Sequence, residues 1–437
     1  MGNLNLFTYQ QSLFERVCSI DVLSLAFKAV KRNGGAPGID GVSTEAFEER
    51  LSQELIQLKK ELESWTYKPS PARRVEIPKP GQAGLRLLGI PNVRDRTVQA
   101  ALKSVLEPIF DPLFSESSYG FRPGKNQRQA VEAAQEIVES GKEYVVDIDL
   151  SKFFDRIHHD RLIVRLGEKI DDKRILRLVG LILRSGIMKD GLVTIPKEGS
   201  VQGSPLSPLL SNVVLDELDK ELECRGLDFC RFADDCNIFV GSEVAARRVM
   251  GSITRYIEKR LRLVVNQEKS KVALSRYVKF LGMTIIAGTI AISSVSMENA
   301  KNKIRELTRR GTSLTIAQTA TSINKWYGGW ANYYGMTQYP AQLRTLEAHM
   351  RRRLRKQILS QQKRKRFAFE ALVRRGIERK LAARTIFQNR NWWALSASHA
   401  VQQAYSQSWF KEEVGLMTYS DREFPHWFSL DKWIKPT

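Results

Sequence analysis

The alternation of apolar and polar residues predicts short strands that carry acids. Residues 145–150 alternate apolar side chains with Asp147 and Asp149, and this two-residue period is typical of a strand. Residues 231–240 predict a strand, a tight turn and a second strand, with Asp234 and Asp235 adjacent at the tip.

Apolar residues at helical spacing predict longer elements around these strands. The pattern extends over residues 51–65, 95–110 and 207–223. Pro108 and Pro112 are expected to close the second of these helices. Strand–turn–strand units joined by helices in this way suit a split βαβ-like sheet.

The two acid segments together suggest a divalent metal centre. Acids in a half-buried strand are costly unless they are paired or bound to metal. Carboxylate oxygens are the ligands that magnesium prefers, and two ions roughly 3.5–4 Å apart suit displacement at phosphorus. A solvated hairpin turn remains the alternative for Asp234 and Asp235, because aspartate is common in turns.

Composition and charge indicate an acidic partner. The chain has 437 residues, 42% of them hydrophobic, and a formal net charge of +21. Residues 298–390 hold 22 lysines and arginines against 5 acids. Phosphates relieve such repulsion, so nucleic acid is the expected partner, although a solvated helical surface is the alternative.

Few residues suggest other chemistry or another compartment. The four cysteines, Cys18, Cys224, Cys230 and Cys236, form no C-x-x-C pair, so we expect a reducing compartment and no structural zinc. The sequence has no secretion signal or long apolar stretch, so we expect a cytoplasmic protein without a membrane span.

A series of motifs resembles the reverse transcriptases of bacterial group II introns, in the family's order. In this sequence the motifs are Gly35-Ala36-Pro37-Gly38-Ile39-Asp40-Gly41-Val42, Ile77-Pro78-Lys79-Pro80, Arg86-Leu87-Leu88-Gly89-Ile90-Pro91, Arg94-Asp95-Arg96, Tyr119-Gly120-Phe121-Arg122-Pro123-Gly124, Asp149 to Asp155, Gln202-Gly203-Ser204-Pro205-Leu206-Ser207-Pro208, Phe232-Ala233-Asp234-Asp235, Asn266 to Lys271 and Phe280-Leu281-Gly282. The resemblance implies an RNA-directed DNA polymerase with a maturase region, which uses an RNA template, a DNA or RNA primer and deoxynucleotides. The implied cofactor is two Mg²⁺ ions, with Mn²⁺ as a substitute.

The same resemblance implies an α+β, right-hand polymerase fold. It places the fingers in residues 1–142, a palm with an antiparallel sheet in 143–290, and a basic helical thumb, the maturase domain, in 291–375. Residues 376–437 are expected to form a small helical appendage that binds nucleic acid. Aromatic residues within 324–334 are predicted to be core, with base stacking as the alternative.

Roles of single residues also follow from the resemblance. The catalytic residues are Asp149, Asp234 and Asp235, and the metal is bound by Asp149, Leu150, Asp234 and Asp235. The deoxynucleotide contacts are Lys79, Arg86, Phe154, Gln202 and Lys269. The expected nucleic-acid contacts are Arg351, Arg352, Arg353, Arg355, Lys356, Lys363, Arg364, Lys365 and Arg366.

Two details of these roles remain open. The Phe154 ring is expected to collide with a ribose 2′-hydroxyl and so to favour deoxynucleotides, with a core phenylalanine as the alternative. Phe232 stands where the family usually has tyrosine, which puts one polar contact near the primer end in doubt. Asp147 and Asp155 are the other acids nearby, and we do not expect either to bind metal.

Three biological roles are compatible with these motifs. The chain is expected to serve a group II intron and to bind intron RNA. The alternatives are a free-standing enzyme in DNA repair or phage defence, and a protein that acts chiefly as a splicing maturase. No cysteine follows residue 236, so we expect no Cys- and His-based nuclease domain of the kind that many relatives carry, and we expect the chain to use a pre-existing 3′ end.

Overall fold

The computed structural model describes residues 12–78, 85–189, 191–195, 198–309, 311–388 and 391–419. Its contacts divide the chain into two compact units, Met1–Val278 and Lys279–Thr437, here the N-terminal and C-terminal units. Both contain helices and strands, so the predicted mixture of helix and sheet is confirmed.

The N-terminal unit surrounds two sheets with helices. Its helices are α1 Leu13–Cys18, α2 Ile20–Asn33, α3 Thr44–Glu48, α4 Leu51–Glu63, α5 Val93–Phe110, α6 Gln127–Glu139, α7 His159–Gly167, α8 Lys173–Leu183, α9 Ser207–Cys224 and α10 Glu243–Tyr256. Its strands are β1 Ala72–Pro78, β2 Leu85–Ile90, β3 Tyr144–Ile148, β4 Ile187–Lys189, β5 Leu192–Thr194, β6 Asp228–Phe232, β7 Asp235–Val240 and β8 Lys271–Leu274. A π-helical turn, Ile257–Leu261, and three 3-10 turns, Asp111–Leu113, Phe153–Arg156 and Ser275–Tyr277, complete the described elements.

The two sheets differ in topology. The first has the strand order β2-β1-β4-β5, with β1 and β4 parallel. The second has the order β6-β7-β3-β8, and all of its neighbouring strands are antiparallel. The second sheet carries the acids, so its central pair, β3 and β7, determines their relative positions.

A continuous apolar core supports the second sheet. Val146 and Ile148 of β3 and Ile238 of β7 are at most 1% exposed. They belong to one cluster with apolar residues of α9, such as Leu215 and Leu222. Apolar residues of this face thus pack against α9, and the opposite face of the two central strands is also buried, since Val145 and Phe239 are 2% and 3% exposed.

The predicted helices are largely confirmed, but the role predicted for Pro108 is wrong. Helix α5 passes through Pro108 and ends at Phe110. A proline inside a helix removes one backbone donor and crowds the preceding turn, which usually kinks or breaks the helix. Asp111 still donates its N–H to the Glu107 carbonyl, and Leu106 and Phe110 remain buried. Packing of this face therefore outweighs the one lost hydrogen bond.

The C-terminal unit is mainly helical. Its elements are the hairpin strands β9 Met283–Ile286 and β10 Thr289–Ile292, followed by α11 Ser294–Leu307, α12 Ile316–Tyr334, α13 Pro340–Gln361, α14 Lys365–Arg374, α15 Arg379–Ile386, α16 Trp392–Leu395, α17 His399–Ala404 and α18 Gln407–Glu412. Among the described residues, no helix is long and apolar enough to span a membrane.

The last helices of this unit share a core with the long ones. Leu395, Val401 and Phe410 belong to the same apolar cluster as Ile323 and Leu354. The helices in the described part of the tail therefore pack into one core with α12 and α13.

The aromatic segment 324–334 contributes to that core. Tyr327 is 1% exposed and donates its hydroxyl to Glu347 at 2.9 Å. The Trp330 ring stacks on Tyr334 at 4.5 Å between centroids. For Tyr327 the core interpretation is confirmed.

Candidate active site

A two-residue turn presents the acid pair at one end of the second sheet. Strand β6 ends at Phe232, strand β7 begins at Asp235, and these two residues pair across the hairpin. Ala233 has a φ of 58°, a left-handed conformation that non-glycine residues rarely adopt. Asp234 is half-buried and Asp235 is exposed. The predicted strand–turn–strand unit is therefore confirmed.

Asp149 lies at the same end of the sheet. Ile148, the last residue of β3, pairs with Cys236 of the antiparallel strand β7. Asp149 directly follows Ile148 and Asp235 directly precedes Cys236, so both acids lie at this end of the strand pair. The Asp149 backbone is held on both sides, because its N–H donates to Ser270 Oγ at 3.0 Å and its carbonyl accepts from Asn266 N–H at 2.8 Å. The structure thus brings the three predicted catalytic acids to adjoining strand ends.

A lysine lies near one of the three acids at this strand end. Lys269 Nζ lies 3.9 Å from Asp149 Oδ2, and both side chains are partly exposed. Leu150 is buried and can offer only its backbone carbonyl to a metal. Asp147 is half-buried in β3 opposite Asn237, and Asp155 is exposed in the 3-10 turn that follows.

The donor set at this strand end suits a hard divalent cation. Asp149, Asp234 and Asp235 supply carboxylate oxygens, which magnesium prefers. Among the residues that the structure describes, no three His, Cys, Asp or Glu side chains are gathered as a metal-binding group. The strand register brings these acids to one end of the sheet. Their suitability for magnesium rests on the oxygen ligands that they supply.

A cavity of about 350 Å³ lies beside the predicted nucleotide contacts. Its lining includes Gln202, Gly199 and Asp155. The loop formed by residues 199–202 is hydrogen-bonded to Phe154, whose carbonyl accepts from Ser200 N–H at 2.7 Å. The Phe154 ring is half-buried and meets Phe153 edge-on at 5.2 Å.

The loop near Gln202 is fitted closely against strand β2. The Gln202 carbonyl accepts from Gly89 N–H at 2.9 Å. A side chain at Gly203 would meet the Gly89 carbonyl at 2.8 Å, so this position requires glycine. Lys79 lies outside the described residues. Arg86 is described only as part of β2, opposite Ile77.

Burial divides the predicted nucleic-acid contacts of the C-terminal unit. Arg355 is buried, its Nε donates to the Tyr405 carbonyl at 2.9 Å, and burial lowers its pKa to about 10. Arg353 donates to the hydroxyl and the carbonyl of Thr308, each at 2.9 Å. Arg355 is therefore not part of a phosphate-binding surface, because its guanidinium is used inside the unit.

The other basic residues remain nearer the surface, and some have partners. Arg351 lies 3.9 Å from Glu347, and Arg352 stacks on Trp393 at 4.0 Å. The remaining positions are half-buried Lys356, exposed Lys363 and Arg364, Lys365 bonded to the Gln388 carbonyl, and Arg366 paired with Glu370. Arg351 and Arg366 thus each lie near an acid of their own helix.

Sequence reasoning missed a buried polar network beneath the acid turn. Arg231 and Asp219 have side chains that are 0% exposed and form an ion pair. Burial raises the pKa of the Asp219 carboxyl, and the Arg231 charge opposes that rise. The signal in the sequence is an arginine among apolar residues near the end of a predicted strand, two residues before the turn.

Comparisons with known proteins agree with these motifs. Residues 77–285 match the model of "Reverse transcriptase (RNA-dependent DNA polymerase)", and residues 297–376 match "Group II intron, maturase-specific domain". The chain is 32% identical to protein YkfC of Escherichia coli over 68% of its own length and 90% of that protein. It is 30% identical to the group II intron-encoded protein LtrA of Lactococcus lactis over 60% of its own length and 42% of LtrA.

A solved structure, the Cas6-RT-Cas1–Cas2 complex, matches 57% of this chain and 27% of that one at 26% identity and a TM-score of 0.38. The chain thus spans less than half of LtrA and nearly all of YkfC.

The chain belongs to the family of group II intron-type reverse transcriptases and maturases. The predicted family and its RNA-directed DNA polymerase activity are confirmed.

Proposed function

We propose that the chain extends a primer 3′ end with deoxynucleotides on an RNA template, using Asp149, Asp234 and Asp235 to bind divalent metal. The observation that carries this proposal is the register of β3 against β7, which brings acids from distant segments to adjoining strand ends. Bound Mg²⁺ supplies stabilisation of the attacking and leaving oxygens during displacement at phosphorus.

The chain's own residues supply binding and orientation. Asp149 holds its side of the metal site through its anchored backbone, and Asp234 supplies a second carboxylate from the hairpin turn. Lys269, 3.9 Å from Asp149, offers a positive charge to a nucleotide phosphate. Phe154 lies under the sugar and Gln202 contacts the nucleotide, and Lys79, Arg86 and Leu150 keep the roles that the resemblance implies.

The right-hand assignment is part of the same proposal. Residues 1–142 act as fingers, 143–290 as palm, 291–375 as thumb and 376–437 as a nucleic-acid-binding appendage. The antiparallel order β6-β7-β3-β8 favours the palm assignment, because its central strands β7 and β3 bring the acids to one end of the sheet. Exposed Lys363 and Arg364 are suited to backbone phosphates.

Assistance to intron splicing is a second candidate function. The match of residues 297–376 to a maturase-specific domain favours it. Splicing would use the basic C-terminal unit and need not involve the palm acids, so acid substitutions would leave it intact.

Primer extension by the purified chain tests the polymerase proposal. With Mg²⁺, a DNA primer annealed to RNA should be extended to the template's 5′ end. Chelation should stop extension, and added Mg²⁺ or Mn²⁺ should restore it, because carboxylates bind both ions. Extension that persists after chelation, or no extension on RNA under any of these conditions, would contradict the proposal.

A further inference from the structure

We propose that Arg231 and Asp219 form a buried clamp that positions the acid turn for metal binding. Neither residue faces the reacting atoms, so both are positioning residues. The inference rests on the proposed function, since it assigns the clamp's effect to the metal-binding carboxylates of that turn.

The clamp joins the acid hairpin to helix α9. Arg231 on β6 donates from Nε to Asp219 Oδ1 at 2.7 Å and from Nη2 to Asp219 Oδ2 at 2.5 Å. Such a bidentate pair fixes the orientation of the guanidinium plane as well as its position. Asp219 thus sets where the remaining donors of Arg231 point.

Those remaining donors hold the turn and its surroundings. Nη1 donates to the Ala233 carbonyl at 2.9 Å and to Asn212 Oδ1 at 3.1 Å, while Nη2 also donates to Ser118 Oγ at 2.7 Å. An arginine has five N–H groups, and each has an acceptor here. The bond to Ala233 holds the left-handed residue that directly precedes Asp234.

The opposite side of the turn is fixed by the same network. Asn212 Nδ2 donates to the Gly120 carbonyl at 2.8 Å. The backbone of residues 117–119 is hydrogen-bonded to the backbone of Arg231. The Arg231 N–H donates to the Ser117 carbonyl, and the Tyr119 N–H donates to the Arg231 carbonyl, each at 2.9 Å. Helix α9 and this loop therefore hold the turn from two directions.

Stability alone does not explain this arrangement. Replacement of a buried ion pair by apolar residues of similar volume is often neutral or stabilising. A lysine would keep the positive charge, but its single ammonium cannot reproduce a planar fork with five donors. The geometry of the guanidinium, more than its charge, is what the turn requires.

The decisive experiment separates folding from positioning. The variants are Arg231→Met, Asp219→Leu, their combination, and Arg231→Lys. The combined variant should unfold at a higher temperature than either single variant, because no unpaired charge remains buried. Its single-turnover extension rate should nevertheless remain roughly 10²-fold below that of the wild type, the loss expected for a misplacement of about 1 Å.

The metal dependence provides a readout that a purely structural role would not change. The Mg²⁺ concentration for half-maximal rate should rise in the combined variant and in Arg231→Lys, while RNA binding stays unchanged. Tyr67→Phe is the matched control, since it removes a buried bond to Asp95 away from the turn. It should lower the unfolding temperature and leave the Mg²⁺ requirement as in the wild type.

The outcomes distinguish failure of the clamp inference from failure of the proposed polymerase function. Asp234→Asn in the same assay tests the proposed function, and normal extension by that variant would refute the polymerase role of the turn itself. If Asp234→Asn is inactive while the combined variant has the wild-type rate and Mg²⁺ requirement, the clamp inference alone is overturned. If the combined variant does not fold, Arg231→Lys with wild-type rate and Mg²⁺ requirement overturns it equally.

Discussion

Replacing Gly120 with alanine should displace the turn that carries Asp234. A side chain at this position would lie 2.2 Å from the Ala233 backbone nitrogen and 2.9 Å from the Phe232 carbonyl carbon. Both atoms belong to backbone, so no side-chain rotation relieves the contact. The loop and the turn must move apart by about 1 Å, since real contacts below 3.0 Å essentially do not occur.

Neither side can move freely to make that space. The Gly120 carbonyl is held by Asn212, and the loop before it is held by Arg122, which donates to the Ser115 and Ser118 carbonyls at 2.6 and 3.0 Å. We therefore expect a loss of stability of about 1–3 kcal/mol, the range for overpacking. The extension rate should fall roughly 10²-fold, equivalent to about 2.7 kcal/mol of activation free energy.

The assay is single-turnover extension on an RNA template, together with thermal unfolding and RNA binding. Gly241→Ala is the matched control, because a side chain just beyond β7 would meet nothing within 4 Å. That variant should behave as the wild type in all three measurements. Wild-type extension by a folded Gly120→Ala variant would refute the reasoning that this contact sets the position of the turn.

Three further predictions concern other parts of the chain. Phe154→Val should raise the ratio of ribonucleotide to deoxynucleotide incorporation efficiency, and an unchanged ratio would identify Phe154 as a packing residue only. Neutralising exposed Lys363 and Arg364 should flatten the dependence of log affinity on log salt, whereas Arg355→Gln should lower the unfolding temperature without that change in slope. Burial and nearby Arg305 lower the pKa of His349 to about 4, whereas in the unfolded chain this pKa is about 6.5. The free energy of unfolding of the C-terminal unit should therefore fall by about 1 kcal/mol as pH falls from about 6.5 towards 4. His349→Phe should reduce the shift in unfolding temperature between pH 7 and pH 5, and an equal shift in both proteins would contradict this assignment.

The acid-bearing strands were predictable because their pattern is local. Alternation across residues 145–150 and the paired acids between two apolar runs describe a strand and a hairpin without reference to the rest of the chain. That Asp149 and Asp235 lie on adjoining strands was expected only from the family resemblance. The register of β3 against β7 depends on contacts between segments far apart in sequence.

Burial of charged residues was the main feature that the sequence did not reveal. Arg231 finds its partner Asp219 on another element, and Arg355 finds the Tyr405 carbonyl 50 residues later in the chain. Neither partner shows a local spacing rule, such as the i,i+4 pairs of a helix. A run such as 351–356 therefore resembles a solvated charged surface, although tertiary packing buries part of it.

Single-turnover extension by acid variants tests the central claim most directly. Asp149→Asn and Asp234→Asn should bind the RNA–primer duplex as the wild type does and lose extension by several orders of magnitude, because each weakens a shared metal site. Asp160→Asn is the control, since Asp160 is exposed and pairs only weakly with Arg184 at 3.3 Å; it should extend at the wild-type rate. Near wild-type extension by Asp149→Asn or Asp234→Asn would contradict the account.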